Sequence, residues 1–218
     1  EPANRDALDR LLEIYVANDQ LGKALGLLEW VGLREEATED RVRNLRRTLE
    51  LLPEEDHKGR FYLLRRILLL GGDQREVLDE LKAEADAAEL WGEMPAVLSL
   101  LVARAEDADA RLELQQEMAG IWEEKLDNPD RAYLTLQQSF LSPERNGEVL
   151  EEALRLARAT ERFEDMLVLL DRMTTAEFDL DKRKAMIRQR AEIFEKDLKE
   201  CNRAMQERWR LLDLDPEE

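Results

Sequence analysis

Residues Ala119 to Ala132 read A-G-I-W-E-E-K-L-D-N-P-D-R-A, and Ala191 to Ala204 read A-E-I-F-E-K-D-L-K-E-C-N-R-A. Both stretches open and close on alanine and share an aromatic residue and a leucine at matching positions. Both hold one more residue between their small positions than the related stretch from Leu12 to Ala24. Shorter echoes surround them. Ala7-Leu8-Asp9-Arg10-Leu11 returns as Val77-Leu78-Asp79-Glu80-Leu81 and as Val149-Leu150-Glu151-Glu152-Ala153. Leu21-x-x-Ala24-x-x-Leu27-Leu28 returns as Met94-x-x-Val97-x-x-Leu100-Leu101 and as Phe163-x-x-Met166-x-x-Leu169-Leu170. The chain is therefore periodic, with a long repeat of about 71 residues built from two shorter ones of about 36.

Apolar residues recur at i, i+3, i+4 and i+7 along the whole chain, and no stretch alternates as a half-buried strand would. Prolines 2, 53, 95, 129, 143 and 216 fall near expected helix ends, where a missing N–H does least harm. Gly71-Gly72, Gly92 and Gly147 mark further breaks. The pattern predicts an all-α chain of about twelve helices in six antiparallel pairs. The first helices of the pairs are expected near Asn4, Thr38, Asp73, Asp107, Arg145 and Asp179, and Asn, Thr and Asp there suit helix caps. Six units follow, over 2–34, 38–70, 73–104, 107–142, 144–175 and 179–216, as one helical repeat domain. Pro2 and Pro216 stand at equivalent points of the repeat, so the segment reads as a window from a longer array.

Composition limits the function classes. Of 218 residues, 51 are acidic and 33 basic, a formal charge of −18. Such a chain lacks the basic footprint that a phosphate backbone requires, so nucleic acid is not an expected partner, and anionic membrane surfaces are disfavoured. A basic protein or peptide suits it. The apolar runs, such as Ile67 to Leu70, are far below the ~18 residues that a membrane span needs. Cys201 is the only cysteine, which fits a reducing compartment and a cytoplasmic expectation.

Residue types that carry chemistry are sparse. His57 is the only histidine, read as a surface residue of the loop Pro53-Glu54-Glu55-Asp56-His57-Lys58, with no nucleophile or orienting group suggested beside it. Cys201 falls where Pro129 stands in the matching stretch. Asp127-Asn128-Pro129-Asp130 lacks the glycine and terminal glutamate of a calcium loop and reads as a helix–helix turn. Glu35-Glu36, Glu123-Glu124 and Glu151-Glu152 are adjacent on helices and cannot face each other across a pocket. The expectation is a non-enzymatic chain with no metal and no cofactor.

The units resemble tetratricopeptide repeats. The first carries Leu8, Leu11, Leu12 and Tyr15, then Ala24, Leu28 and Val31. The fourth carries Met118, Ala119 and Trp122, then Ala132, Leu136, Ser139 and Pro143. The fifth carries Leu150, Ala153, Leu154 and Ala157, then Phe163, Met166, Leu170 and Met173; the sixth carries Ile187, Ala191 and Phe194, then Ala204, Leu211 and Pro216. The second unit fits poorly, and the third has Lys82 at a small position and a first helix expected to run a turn longer, through Ala85, Ala88 and Trp91.

The resemblance implies a right-handed α-α superhelix, a solenoid of about six helix pairs, cut from a longer bacterial repeat array whose neighbouring repeats would flank it. It implies a scaffold that binds another protein or peptide on its concave face. Carried onto this sequence, the ligand-facing positions are Asp6, Asp9, Glu13, Arg43, Arg47, Glu76, Asp79, Glu113, Gln116, Glu123, Glu148, Glu151 and Arg188. Most are acidic, so a basic surface is the expected partner. The competing explanation is helix-dipole and i+4 pairing, as in Asp6 with Arg10 or Glu151 with Arg155. The Lys and Asn pattern of the family's carboxylate clamps is not present. Tyr15, Trp122 and Phe194 fall in the interior slot, whereas Trp30, Trp91 and Trp209 are candidates for contacts outside the core. An alternative role is an accessory module of a larger enzyme or transcription regulator.

Overall fold

The computed structural model describes residues 5–18, 20–71, 74–140 and 146–214; the side chains of residues 5, 6, 74 and 146–148 lie outside that description. Among the described residues there are twelve α-helices and no strand. They are α1 (Arg5–Ala17), α2 (Leu21–Gly32), α3 (Thr38–Leu51), α4 (His57–Leu69), α5 (Gln74–Ala87) and α6 (Met94–Arg104), then α7 (Ala108–Gly120), α8 (Pro129–Ser139), α9 (Asn146–Ala159), α10 (Phe163–Ala176), α11 (Leu180–Glu192) and α12 (Cys201–Leu214). The chain forms two compact units that meet in sequence within α6, one up to Val97 and one from Leu98.

In the N-terminal unit each helix packs on the next, from α1 through α5. Val77, Leu78, Leu81 and Ala85 form the buried stripe of α5, and Phe61, Leu64, Ile67 and Leu68 that of α4. Steps of three and four residues keep each set on one helix face, so two helices bury a common seam. The C-terminal unit repeats the arrangement, with α7 on α8, α8 on α9 and so on to α12. Its core gathers Ala132, Tyr133 and Leu136 of α8 with Ala153, Leu156 and Ala157 of α9 and Met166 and Leu170 of α10.

Apart from the α3–α4 connection, where Leu52 is extended, the hairpins described close in two ways, and residue spacing decides which. After α5, the Leu90 N–H reaches the Ala85 carbonyl at 2.8 Å and the Glu89 N–H reaches that of Asp86 at 3.4 Å, with Glu89 at φ 56°. After α9 the same bonds recur, Arg162 to Ala157 at 2.8 Å and Glu161 to Arg158 at 3.4 Å, with Glu161 at φ 55°. This pair of bonds satisfies carbonyls orphaned at a helix end, with a left-handed residue as the pivot. After α1, Gln20 bonds back to Tyr15 at 2.8 Å.

Where the sequence carries its extra residue, the helix widens instead. Ile121–Lys125 and Ile193–Asp197 are π-helical turns, closed by Leu126 on Ile121 at 3.1 Å and by Leu198 on Ile193 at 3.0 Å. The added residue is absorbed as a bulge, so the small residues on either side still meet their partners. Asp127 (φ 48°) and Lys199 (φ 60°) then turn the chain into α8 and α12.

Three expectations are revised. Thr38 is the first helical residue of α3, with Ala37 in the capping position and no side-chain cap. Asp107 and Asp179 do cap, accepting from Ala110 N–H at 3.0 Å and Asp181 N–H at 2.9 Å. The helix starts expected at Asn4, Asp73 and Arg145 lie outside the described residues. The first helix of the third repeat ends at Ala87, because Glu89 adopts the left-handed conformation; Trp91 opens a separate 3-10 turn and donates to Asp86 at 2.9 Å. His57 is the first residue of α4, not a loop residue.

Candidate functional site

One stripe of α1 presents Asp9, Leu12, Glu13 and Val16, spaced i, i+3, i+4 and i+7. Across from it, α3 presents Arg47, Glu50 and Leu51, and Leu28 of α2 lies beneath. Together they line a groove of about 530 Å³, within the span of about 300–1,000 Å³ typical of ligand sites. Its floor is apolar. Its charged groups are three carboxylates and one guanidinium.

Asp9 and Arg47 bridge the groove at 2.6 Å, with side chains 42% and 41% exposed. A pair that open to water contributes about 0–1 kcal/mol, so an incoming cation can replace Arg47 at little cost. A narrower recess of about 50 Å³ adjoins it, lined by Arg43, Asn44 and Glu35 among others. Asn44 is buried and donates to Glu35 at 2.6 Å, and Arg43 pairs with Asp40 at 2.8 Å. The structure thus brings together Asp9, Glu13, Arg43 and Arg47 from the residues expected on the concave face.

The other expected site residues with described side chains are not among those lining this groove. Glu76 is exposed at the start of α5, and Asp79 pairs with Lys82 at 3.2 Å and Arg75 at 3.8 Å. Glu113 and Gln116 are exposed on α7. Glu123, in the π turn, accepts from Arg155 of α9, which also bonds Glu152 at 2.6 Å. The arginine thus serves Glu152, three residues back, and Glu123, not the expected Glu151, which is exposed. Arg188 is exposed on α11. Asp6 and Glu148 have side chains outside the described residues.

Sequence reasoning missed the leucine and valine floor and Glu50. The signal was available. The period that selects Asp9 and Glu13 also selects Leu12 and Val16. Among the aromatics, Phe194 is buried and Trp122 packs at the core edge. Tyr15 is only half-buried, with the Lys23 ammonium 5.9 Å from its ring centre. Trp30 is exposed and carries the Arg34 guanidinium at 3.9 Å, and Trp209 is exposed on α12.

His57 Nδ1 lies 2.8 Å from Glu84 Oε2, and Arg60 holds the other oxygen of that carboxylate at 2.6 Å. The three tie α4 to α5. Cys201 is a free, exposed thiol at the start of α12, as Pro129 starts α8. Among the described residues no group of three or more His, Cys, Asp or Glu side chains could hold a metal ion, and no helix is long and apolar enough to cross a membrane. The sequence matches no protein-family model, and comparison with curated proteins gives no match.

Proposed function

We propose that this chain is a tetratricopeptide-like solenoid segment, a non-enzymatic scaffold that docks a basic protein segment in the groove between α1 and α3. The observation that carries this reading is the composition of that groove. An apolar floor of Leu12, Val16 and Leu51 is ringed by Asp9, Glu13 and Glu50 against the single Arg47. An amphipathic segment with a lysine- or arginine-rich edge would bury its apolar side on that floor and set its cations against the rim. Both walls are formed helices, so the chain loses little conformational freedom on binding. The alternation of hairpin closures with the residue spacing supports the repeat reading.

The test is fluorescence anisotropy with a labelled lysine-rich amphipathic peptide. Affinity should fall as salt rises, because rim charges are screened over about 10 Å at 0.1 M salt. The double variant Glu13→Gln/Glu50→Gln, which keeps the Asp9–Arg47 bridge, should weaken binding about fivefold, from two exposed pairs at roughly 0.5 kcal/mol each. Salt-independent binding, or equal affinity for a glutamate-rich peptide, would sink the proposal.

A further inference from the structure

A second groove lies on the other side of α3. The helix presents Arg43 and Arg47 to the recesses facing α1, and it presents Arg41, Leu45, Thr48 and Leu52 to this one. At about 100° per residue those two sets point in nearly opposite directions. The second groove has a volume of about 630 Å³ and is walled by α2, α3 and α4.

Four of its lining residues have no side chain. Gly22, Gly26 and Gly32 of α2 and Gly59 of α4 all line it, four of the nine glycines in the chain. A Cβ placed at Gly22, Gly26 or Gly32 would meet nothing within 4 Å. Packing within the chain therefore does not require glycine at these three positions. Gly26, in the interior of α2, lowers helix stability by about 0.8–1 kcal/mol relative to alanine. Partly exposed leucines, Leu25, Leu45, Leu63 and Leu70 among them, complete the apolar wall.

The charge of this groove runs against that of the chain. In a sequence with 51 acidic and 33 basic residues, its charged lining is Arg41 and Arg66 against Glu29. Arg41 donates to the Glu35 backbone carbonyl at 2.6 Å, and neither arginine pairs with a carboxylate among the described residues. Arg41 lies in the first turn of α3 and Arg66 in the last turn of α4. Arg60 near the start of α4 donates to the Leu49 carbonyl near the end of α3 at 3.3 Å, so the two helices run antiparallel and both guanidinium groups belong to the same end of the pair. The stripe from Gly22 to Leu33 is about 16 Å long, about three helical turns.

We infer that this groove docks a short amphipathic helix of a partner protein, apolar along one stripe and acidic at the end that meets Arg41 and Arg66. Glycine lets the partner's side chains descend onto the α2 backbone. The leucines bury its stripe, and the arginines set its direction. The surface shares Leu28 alone with the lining of the α1–α3 groove and has the opposite charge preference.

The test uses the full chain and two labelled peptides of about fifteen residues, both leucine-rich at i, i+3, i+4 and i+7. One ends in glutamates and the other in lysines. The glutamate-ended peptide should bind at least tenfold more tightly. Gly26→Leu should melt no lower than the parent, since its side chain enters open space, yet weaken binding more than tenfold. Arg66→Ala should weaken it about fivefold. Glu13→Gln/Glu50→Gln, in the other groove, should leave it unchanged. Equal binding by Gly26→Leu, or tighter binding of the lysine-ended peptide, would overturn the inference. So would concentration-dependent self-association in sedimentation that Gly26→Leu abolishes, because the occupant would then be a second copy of the chain.

Discussion

Replacing Tyr133 by phenylalanine removes a single oxygen from the middle of α8. Tyr133 is 0% exposed, and its hydroxyl has no hydrogen-bond partner among the described residues. Burial, reinforced by the nearby Asp165 carboxylate and opposed by Arg162, pushes the phenol up to about 12. A buried hydroxyl without a partner costs about 1–3 kcal/mol relative to water. The ring itself keeps its packing and the Arg162 guanidinium 5.7 Å from its centre. Tyr133→Phe should therefore raise stability by about 1–2 kcal/mol at neutral pH.

A second readout is independent of the first. The folded phenol holds its proton above its unfolded value of about 10, so this group leaves stability independent of pH below about pH 10 and lowers it as pH rises toward 12, where the unfolded phenol ionises first. Two units correspond to about 2–3 kcal/mol, which the parent should lose over that window and the variant should not. Urea unfolding at neutral pH and at several alkaline values measures both. A variant less stable than the parent by more than about 1 kcal/mol would show that the hydroxyl is satisfied. An unchanged alkaline slope would show that Tyr133 is not the group that titrates.

Arg190 joins α10 to α12, bonding Asp171 and, at 2.8 Å, Glu207, with Arg190 and Glu207 side chains each 11% exposed. Arg190→Ala should cost about 3 kcal/mol in a thermal melt, because Glu207 would keep only Arg210 at 3.8 Å; a loss below about 1 kcal/mol would mean the site admits water. Glu89 and Glu161 hold left-handed backbone that favours glycine. Glu89→Gly and Glu161→Gly should each raise the unfolding free energy measured in urea, by roughly 0.5 kcal/mol after the added freedom of the unfolded chain is deducted, whereas Gly71→Ala, at φ 93°, should lower it. The Arg155 hydrogen bond holds Glu152 below its usual range, Lys196 does the same for Glu192, and for Asp171 the bonds from Arg190 and Arg210 outweigh burial. Their stabilisation is complete above about pH 4.5 and lost as pH falls through the lowered folded values, so unfolding midpoints should drop there, and Arg155→Ala should shrink the drop.

Local features were legible because they depend on neighbours in sequence. Capping by Asp107 and Asp179, the proline at the start of α8 and the buried stripes of α5 and α9 all follow from spacing. The extra residue between Ala119 and Ala132, repeated between Ala191 and Ala204, marked the positions of the two π turns. What stayed hidden depends on distant partners. Arg47 reaches Asp9 on α1 and Arg155 reaches Glu123 in the π turn, and no periodicity names such pairs. Gly22, Gly26 and Gly32 were also hidden, since glycine on its own reads as a break. Here α2 is helical through them because Ala24 and Leu28 are buried against neighbouring helices, and packing outweighs propensity.

The paired closures after α5 and α9 also define a splice. Glu89 and Glu161 are 72 positions apart, with the same two backbone bonds and nearly the same φ. The chain leaves the intervening segment through the geometry by which it entered. A shortened chain that runs from Ala88 straight into Glu161 would need at its seam the same two kinds of bond, now from Arg162 N–H to Ala85 and from Glu161 N–H to Asp86. The same holds for a lengthened chain that carries that segment twice. In engineering terms this stretch is a cassette, and its cut points are set by backbone geometry at two glutamates.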